Sequence, residues 1–241
     1  MIILSTLKVS KYFPPYLGAC GRTIVAGHGG IDLMDFINEN WETRADLSLQ
    51  LLVMVEDFLE KDPNWVVLFV DFIMAQFRVK ANGKVLLIDA EDIGIIDRHH
   101  VKKYGTHKPK APCNSECFME FANYLTNRTS TVQEEHDRWC ANTVHMVGSA
   151  MKALVCTRIL SNIPQHKKND TFDQNKQHHH DDTGLLHSIP VERERIESLL
   201  TECVHETSVG GRDKAFKELQ LVLTQYAEHS KRAVLLGVPR S

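Results

Sequence analysis

Hydrophobic positions along this chain fall into distinct rhythms, and each predicts a different element. Between Arg44 and Lys61, Leu47, Leu51, Val55 and Leu59 recur at every fourth residue, and Leu52 and Phe58 widen the stripe. That period predicts an amphipathic helix over 44–61, stopped by Asp62-Pro63-Asn64. The run Val66-Val67-Leu68-Phe69-Val70 has no period; it is short and β-branched, as a buried strand is. Two further apolar runs flank Asn82-Gly83, a dipeptide that tolerates the positive φ of a two-residue hairpin turn, so 76–80 and 84–88 should pair. Arg22–Ala26 reads as another short strand after the proline-bearing loop Phe13-Pro14-Pro15-Tyr16, and Ile31–Asn38 as a short helix. Helical spacing returns at Cys113–Thr126, at Thr131–Leu160 with Trp139, Val147, Met151 and Val155 on one face, at Val191–Val204 and at Asp213–Ala227. The last two turn Ile196, Leu199 and Leu200, then Phe216, Leu219, Val222 and Leu223 inward. Gln165–Thr183 has almost no apolar residues and is expected to be a flexible insertion.

Composition narrows the class. At 241 residues, 43% hydrophobic and 24% charged, the chain suits one soluble globular domain with a sizeable core. A net charge of −3, without a basic cluster carrying interleaved aromatics, argues against a nucleic-acid partner. No apolar run approaches transmembrane length, and Met1–Leu7 is too short for a signal peptide, so the residues alone suggest the cytosol.

Six cysteines (Cys20, Cys113, Cys117, Cys140, Cys156, Cys203) complicate that reading, because an even count permits complete pairing. Asn127-Arg128-Thr129 and Asn169-Asp170-Thr171 have the form of glycan acceptors. Cys113, Cys117, His136 and Cys140 offer four zinc ligands, but they sit at helical spacing rather than in loop-borne knuckles, which favours disulfides or buried thiols. His178-His179-His180 lacks a fixed scaffold, and adjacent histidines at Asp97-Arg98-His99-His100 do not readily face one ion.

The candidate chemistry lies around the hairpin. Asp71 follows the buried run, and Asp89 ends the return strand, so a rigid hairpin can present two carboxylates to a metal–phosphate group. In a protein-kinase catalytic loop the base aspartate is followed five residues on by a metal-binding asparagine, and a second metal-binding aspartate comes after the next hairpin. Here Gln76 stands five residues after Asp71, and Asp89 takes the second place. A helix running into that strand and loop follows the order of a kinase C-lobe. The glycine-rich stretch Gly27-His28-Gly29-Gly30 fits neither phosphate-loop pattern and reads as a turn. In a kinase order it falls at the hinge, whose backbone meets adenine, giving Ala26, Gly27, His28 and Gly29 as nucleotide-contacting candidates.

Three stretches carry a resemblance: Tyr16-Leu17-Gly18-Ala19-Cys20-Gly21-Arg22, Gly83-Lys84-Val85-Leu86-Leu87-Ile88-Asp89-Ala90-Glu91, and Thr183-Gly184-Leu185-Leu186-His187. With the final helix pair they make the chain resemble the divergent protein kinase domain 2 family, also called the deleted-in-autism-1 family, over nearly its whole length. The resemblance implies an α+β fold: a mostly helical kinase-like C-lobe over 31–241, with a catalytic-loop hairpin and the insertion at 165–183. A partial N-lobe sheet and hinge would occupy 1–30. It further implies the secretory pathway, Golgi or extracellular, with disulfides and N-glycans, which reverses the cytosolic reading. By that resemblance Asp71 is the base, Asp89 and Gln76 hold the metal, and the cofactor is ATP with Mg or Mn.

The departures from a kinase shape the functional expectation. Phe69-Val70 replaces His-Arg before the base, Ile73 stands at the catalytic-loop lysine, Gln76 replaces asparagine, and Ala90-Glu91 replaces Phe-Gly after Asp89. The glycine-rich loop, ATP-contacting lysine and its glutamate fall upstream of Met1 in kinase order. Losing one electrostatic partner costs about 3 kcal/mol of barrier, and several are replaced at once. The leading expectation is a pseudokinase or secreted signalling factor that binds an unidentified protein partner or receptor. The alternatives are an atypical active kinase when full length, and a disulfide- or zinc-stabilised interaction domain.

Overall fold

A computed structural model describes residues 7–21, 23–69, 72–89, 93–99, 148–149, 151–161, 183–206 and 209–235. Its described part is a mixture of helices and small antiparallel sheets, an α+β arrangement.

The central helix, α1 (Trp41–Glu60), begins three residues before the predicted start because Asn40 caps it, accepting the Thr43 N–H at 2.9 Å. The apolar stripe is buried as its spacing requires, with Leu47, Leu51, Leu52, Val55 and Phe58 at most 2% exposed. Each such side chain contributes roughly 1.5–3 kcal/mol on leaving water. At the far end Asp62 organises the exit. Its Oδ1 accepts the N–H groups of Asn64 and Trp65, and its Oδ2 accepts the Lys8 N–H, tying the start of the described chain to the end of α1. Phe13 stacks on Phe58 with centroids 5.8 Å apart, and Tyr12 meets the same ring edge-on.

The described strands form three small sheets, two of which pack on this helix. β1 (Tyr16–Cys20) and β2 (Thr23–Ala26) form an exposed hairpin. β4 (Trp65–Phe69), the predicted buried strand, pairs antiparallel with β7 (Ile93–Asp97), in register from Trp65 opposite Asp97 to Phe69 opposite Ile93. β3 (Ile31–Asp32), β5 (Phe77–Val79) and β6 (Val85–Leu87) form a third sheet in the order β3-β5-β6. The expected helix at Ile31–Asn38 is therefore replaced by β3 and a 3-10 turn, Leu33–Phe36, capped by Asp32 through the Met34 N–H.

The β5–β6 pairing follows the prediction, but its turn does not. Gly83 N–H donates to the Lys80 carbonyl, Lys80 N–H to the Lys84 carbonyl, and only Gly83 has a positive φ, +80°. Three residues, Ala81–Gly83, thus make the loop, with glycine at its left-handed position. Asn82 serves through its side chain instead, accepting the Lys84 N–H.

The remaining long helices of the described residues are α2 (Arg193–His205), within two residues of the predicted span, and α3 (Val209–Leu235), which starts four residues before the predicted span and ends eight beyond it. α3 packs on α1 and α2, and α1 also packs on β4 and β6. Met151 and Val155 are buried as predicted, and the chain then widens into a π-helical turn, Cys156–Leu160. Cys156 and Cys203 form a disulfide that joins this turn to α2. Cys20 is an exposed free thiol. No helix among the described residues is long and apolar enough to cross a membrane.

Thr183–His187 lies against the π-helical turn, where the Leu185 and Leu186 N–H groups donate to the Ile159 and Leu160 carbonyls. Arg44, 5% exposed, reaches across from α1 and donates to the Leu185 and His187 carbonyls, both at 2.8 Å. Burial pushes its guanidinium below the usual range. Ser188 and Glu192, just beyond, adopt left-handed φ values of 46° and 53°. Side chains rarely accept that conformation unless the flanking chain is held on both sides, as it is here.

Candidate kinase-like cleft

The hinge candidates follow β2. Ala26 ends that strand exposed, and Gly27 N–H donates to the Pro15 carbonyl at 2.8 Å. The glycines are there for close approach. A Cβ on Gly29 would lie 2.8 Å from Ile88 Cγ2, and one on Gly30, whose φ is +114°, would lie 2.2 Å from the Val79 carbonyl oxygen. The segment read from sequence as a flexible turn is therefore seated on the β5–β6 hairpin. His28 points to solvent.

Gln76 ends a 3-10 turn, Met74–Gln76, that leads into β5. Its carbonyl accepts the Ile88 N–H at 2.9 Å, so Gln76 is fixed beside the residue that precedes Asp89. The Asp89 residue is half-buried. The geometry thus brings together Gly29, Gln76 and the backbone leading into Asp89, with Ile88 as the common contact. Asp71 lies outside the described residues, as do Cys113, Cys117, His136, Cys140, His178, His179, His180 and both glycan-acceptor asparagines. No group of three or more His, Cys, Asp or Glu poised for a metal occurs among the described residues.

Several residues that build this region were not singled out from the sequence. Phe72 is 1% exposed and its ring meets Phe69 at 5.0 Å and Phe77 at 6.2 Å, anchoring the chain on the far side of residue 71. Gln50 on α1 holds the hairpin, donating to the Gly83 carbonyl and accepting the Val85 N–H. Arg78 forms an ion pair with Asp32 at 2.8 Å and also donates to the Ala75 carbonyl. Polar residues next to a turn and alternating with Phe77 and Val79 were the available signals. Their partners, far away in sequence, were not.

A glycine-seated connector, the buried helix α1, the strand β4 and the β5–β6 hairpin follow one another in the order expected from the sequence for a kinase-like domain. The family described as the protein-kinase domain of FAM69 matches residues 1–206, and the chain belongs to that family. It is 27% identical over 233 residues to divergent protein kinase domain 2A of Xenopus tropicalis, covering 91% of this chain and 47% of that protein. The human protein of the same name is 27% identical over 231 residues, covering 90% of this chain and 46% of the relative. Divergent protein kinase domain 2B of Bos taurus is 34% identical over 85 residues, 35% of this chain and 19% of that protein. The chain thus spans about half the length of the 2A relatives. No solved structure matches it.

Proposed function

We propose that this divergent kinase-like domain acts chiefly by binding, as a pseudokinase or secreted signalling factor of the secretory pathway. In this reading residues 31–241 form a kinase-like C-lobe with an insertion at 165–183, and residues 1–30 contribute the hinge and part of an N-lobe sheet. The observation that carries it is the contact of Gly29 with Ile88, whose N–H is held by the Gln76 carbonyl. That contact supports a cleft bounded by hinge backbone from Ala26 to Gly29 on one side and by Gln76 and Asp89 on the other. ATP with Mg or Mn would be held there by Asp89 and Gln76, with Asp71 as the base if transfer occurs. The metal supplies charge neutralisation at the phosphates; this chain's residues supply oxygen ligands and orientation.

Against efficient transfer stands the furnishing of the loop. Ile73, at the place of the catalytic lysine, is 43% exposed and carries no charge to offer a phosphoryl group. Binding survives such losses better than chemistry does, because transfer depends on charges aimed at the reacting oxygens. The buried Cys156–Cys203 bond supports an oxidising compartment; the zinc candidates Cys113, Cys117, His136 and Cys140 lie outside the described residues.

The test is a thermal-shift titration of the full-length protein with ATP and Mg or Mn. Ligand at a hundredfold excess over Kd stabilises by about 2.7 kcal/mol. Asp89→Asn is expected to abolish the shift while the protein still folds. No shift in the wild type refutes nucleotide binding; an undiminished shift in the variant removes Asp89 from the site. Metal-dependent phosphoryl transfer, lost in Asp71→Asn, would instead establish the active-kinase reading.

A further inference from the structure

The ion pair between Asp32 and Arg78 stands where the hinge connector meets the hairpin. The connector's hold on the hairpin is short, since β3 has only two residues, Ile31 opposite Val79 and Asp32 opposite Arg78. Both side chains are largely covered, 31% and 26% exposed, with Arg78 Nη1 2.8 Å from Asp32 Oδ2. The same nitrogen donates to the Ala75 carbonyl at 3.0 Å and the Phe77 carbonyl at 3.1 Å, one residue on either side of Gln76. Asp32 uses its other oxygen to cap the Leu33–Phe36 turn through the Met34 N–H. Gly29 lies over the Arg78 stem, where an added Cβ would come within 3.4 Å of Cγ. A single guanidinium therefore bridges the connector and the turn that carries Gln76, whose carbonyl in turn holds Ile88 next to Asp89.

We propose that Asp32 and Arg78 are a positioning pair that sets the hinge backbone at a fixed distance from Gln76 and Asp89, so that nucleotide affinity depends on their ion pair. This rests on the nucleotide reading above and adds to it residues that need not touch the nucleotide. Lysine replaces Arg78 only in part: its ammonium has donors for Asp32 and the carbonyls, all of which Arg78 meets through Nη1, but its side chain ends one bond short of that nitrogen. Binding a nucleotide across two arms whose spacing fluctuates carries the cost of fixing them, which the pair meets in advance.

The experiment is a double-mutant cycle in the full-length protein, read by Mg-ATP titration and by amide hydrogen exchange over residues 27–34. Asp32→Asn keeps an oxygen for the Met34 cap and removes the charge; Arg78→Met keeps much of the stem and removes the fork. Each is expected to weaken Mg-ATP binding about tenfold, with the double variant no worse than Arg78→Met alone. Exchange over 27–34 should quicken in all three while the exchange of α1 and the melting temperature stay close to wild type. Arg78→Lys should restore part of the affinity. Additive losses, or faster connector exchange with unchanged affinity, overturn the proposal. If the wild type binds no nucleotide, the nucleotide reading fails, and exchange alone then decides the clamp: unchanged rates over 27–34 refute it too.

Discussion

The Cys156–Cys203 bond offers the clearest quantitative test of the fold. Its partners are 47 residues apart, and both are fully buried, one opening the π-helical turn and the other facing it from α2. Closing a loop of that length in the unfolded chain removes entropy worth about 4 kcal/mol at 25 °C. The folded state barely changes when the bond is absent, because a buried cysteine behaves as a small apolar side chain. Reductant added to native protein is a poor probe, since both sulfurs are covered; substitution is the cleaner perturbation. Cys156→Ala, Cys203→Ala and the double variant each open the same loop, so the three should be destabilised almost equally, by about 4 kcal/mol. For a domain of this size that is a fall of roughly 8–16 °C in Tm. In urea, the midpoint should drop and the slope steepen, because the unlinked chain exposes more surface on unfolding. Additive losses in the two single variants, or a double variant melting within a few degrees of wild type, would refute the bond and its role.

Three further perturbations follow from the packing. Arg44→Met leaves the buried Leu185 carbonyl and the half-buried His187 carbonyl without their donor and should cost about 3 kcal/mol by denaturant melting, with proteolysis appearing first near 183–192. Gly30→Ala places a Cβ against the Val79 carbonyl at φ +114° and should cost more than about 2 kcal/mol, whereas Gly83→Asn, at a left-handed position with open space, should cost under about 1 kcal/mol. The Asp57 carboxyl is partly buried, which disfavours its charge. Hydrogen bonds from Lys11 and Tyr12, with the charges of Lys11 and Lys61, outweigh that burial and hold it below the usual range. A depressed folded pKa means its stabilisation is present above the unfolded value and is lost as pH falls through the folded one. Asp57→Asn should therefore cost about 1 kcal/mol at pH 7, with the gap to wild type closing in the acid range below about pH 4.

Elements with a strong period or a dedicated turn were readable in advance. α1 declared itself through Leu47, Leu51, Val55 and Leu59, and the β5–β6 pairing through apolar runs on either side of Asn82-Gly83. β1 was hidden by Pro14-Pro15 before it and Gly18 within it, and its strand pairing with β2 leaves Leu17, Ile24 and Val25 exposed, so no alternation marks it. β7 is half-buried along its whole length, which likewise erases the two-residue period. The turn at 81–83 was misread because Asn-Gly signals a left-handed pair, while here only the glycine takes that conformation. Arg44 was read only as the start of a helix; its partners lie 141 and 143 positions away and no local pattern encodes them. The cysteine pairing was equally closed to inspection, since six cysteines allow fifteen complete connectivities. For the candidate site, Gln76 and Asp89 were placed by spacing and Gly29 by chain order, and their convergence on Ile88 follows from the short hairpin.

The distribution of charge in the described residues bears on the choice between binding and chemistry. Its buried cations are spent on the scaffold: Arg44 on the 185–187 carbonyls, Arg212 on the Cys203 carbonyl and Ser149 Oγ, and Lys152 on Asp213. Arg78, the cation beside the Gln76 turn, is committed to Asp32 and two carbonyls. A phosphoryl group in flight needs a cation free to follow its developing charge, whereas a bound nucleotide at rest needs mainly a rigid frame and a metal held by oxygen ligands. Here rigidity is supplied in several independent ways, by glycines seated on the hairpin, by Gln50 holding its turn and by Phe72 packed on Phe69 and Phe77. That redundancy, beside an exposed Ile73 at the place of the lysine, is the physical ground on which the binding proposal rests rather than one of transfer.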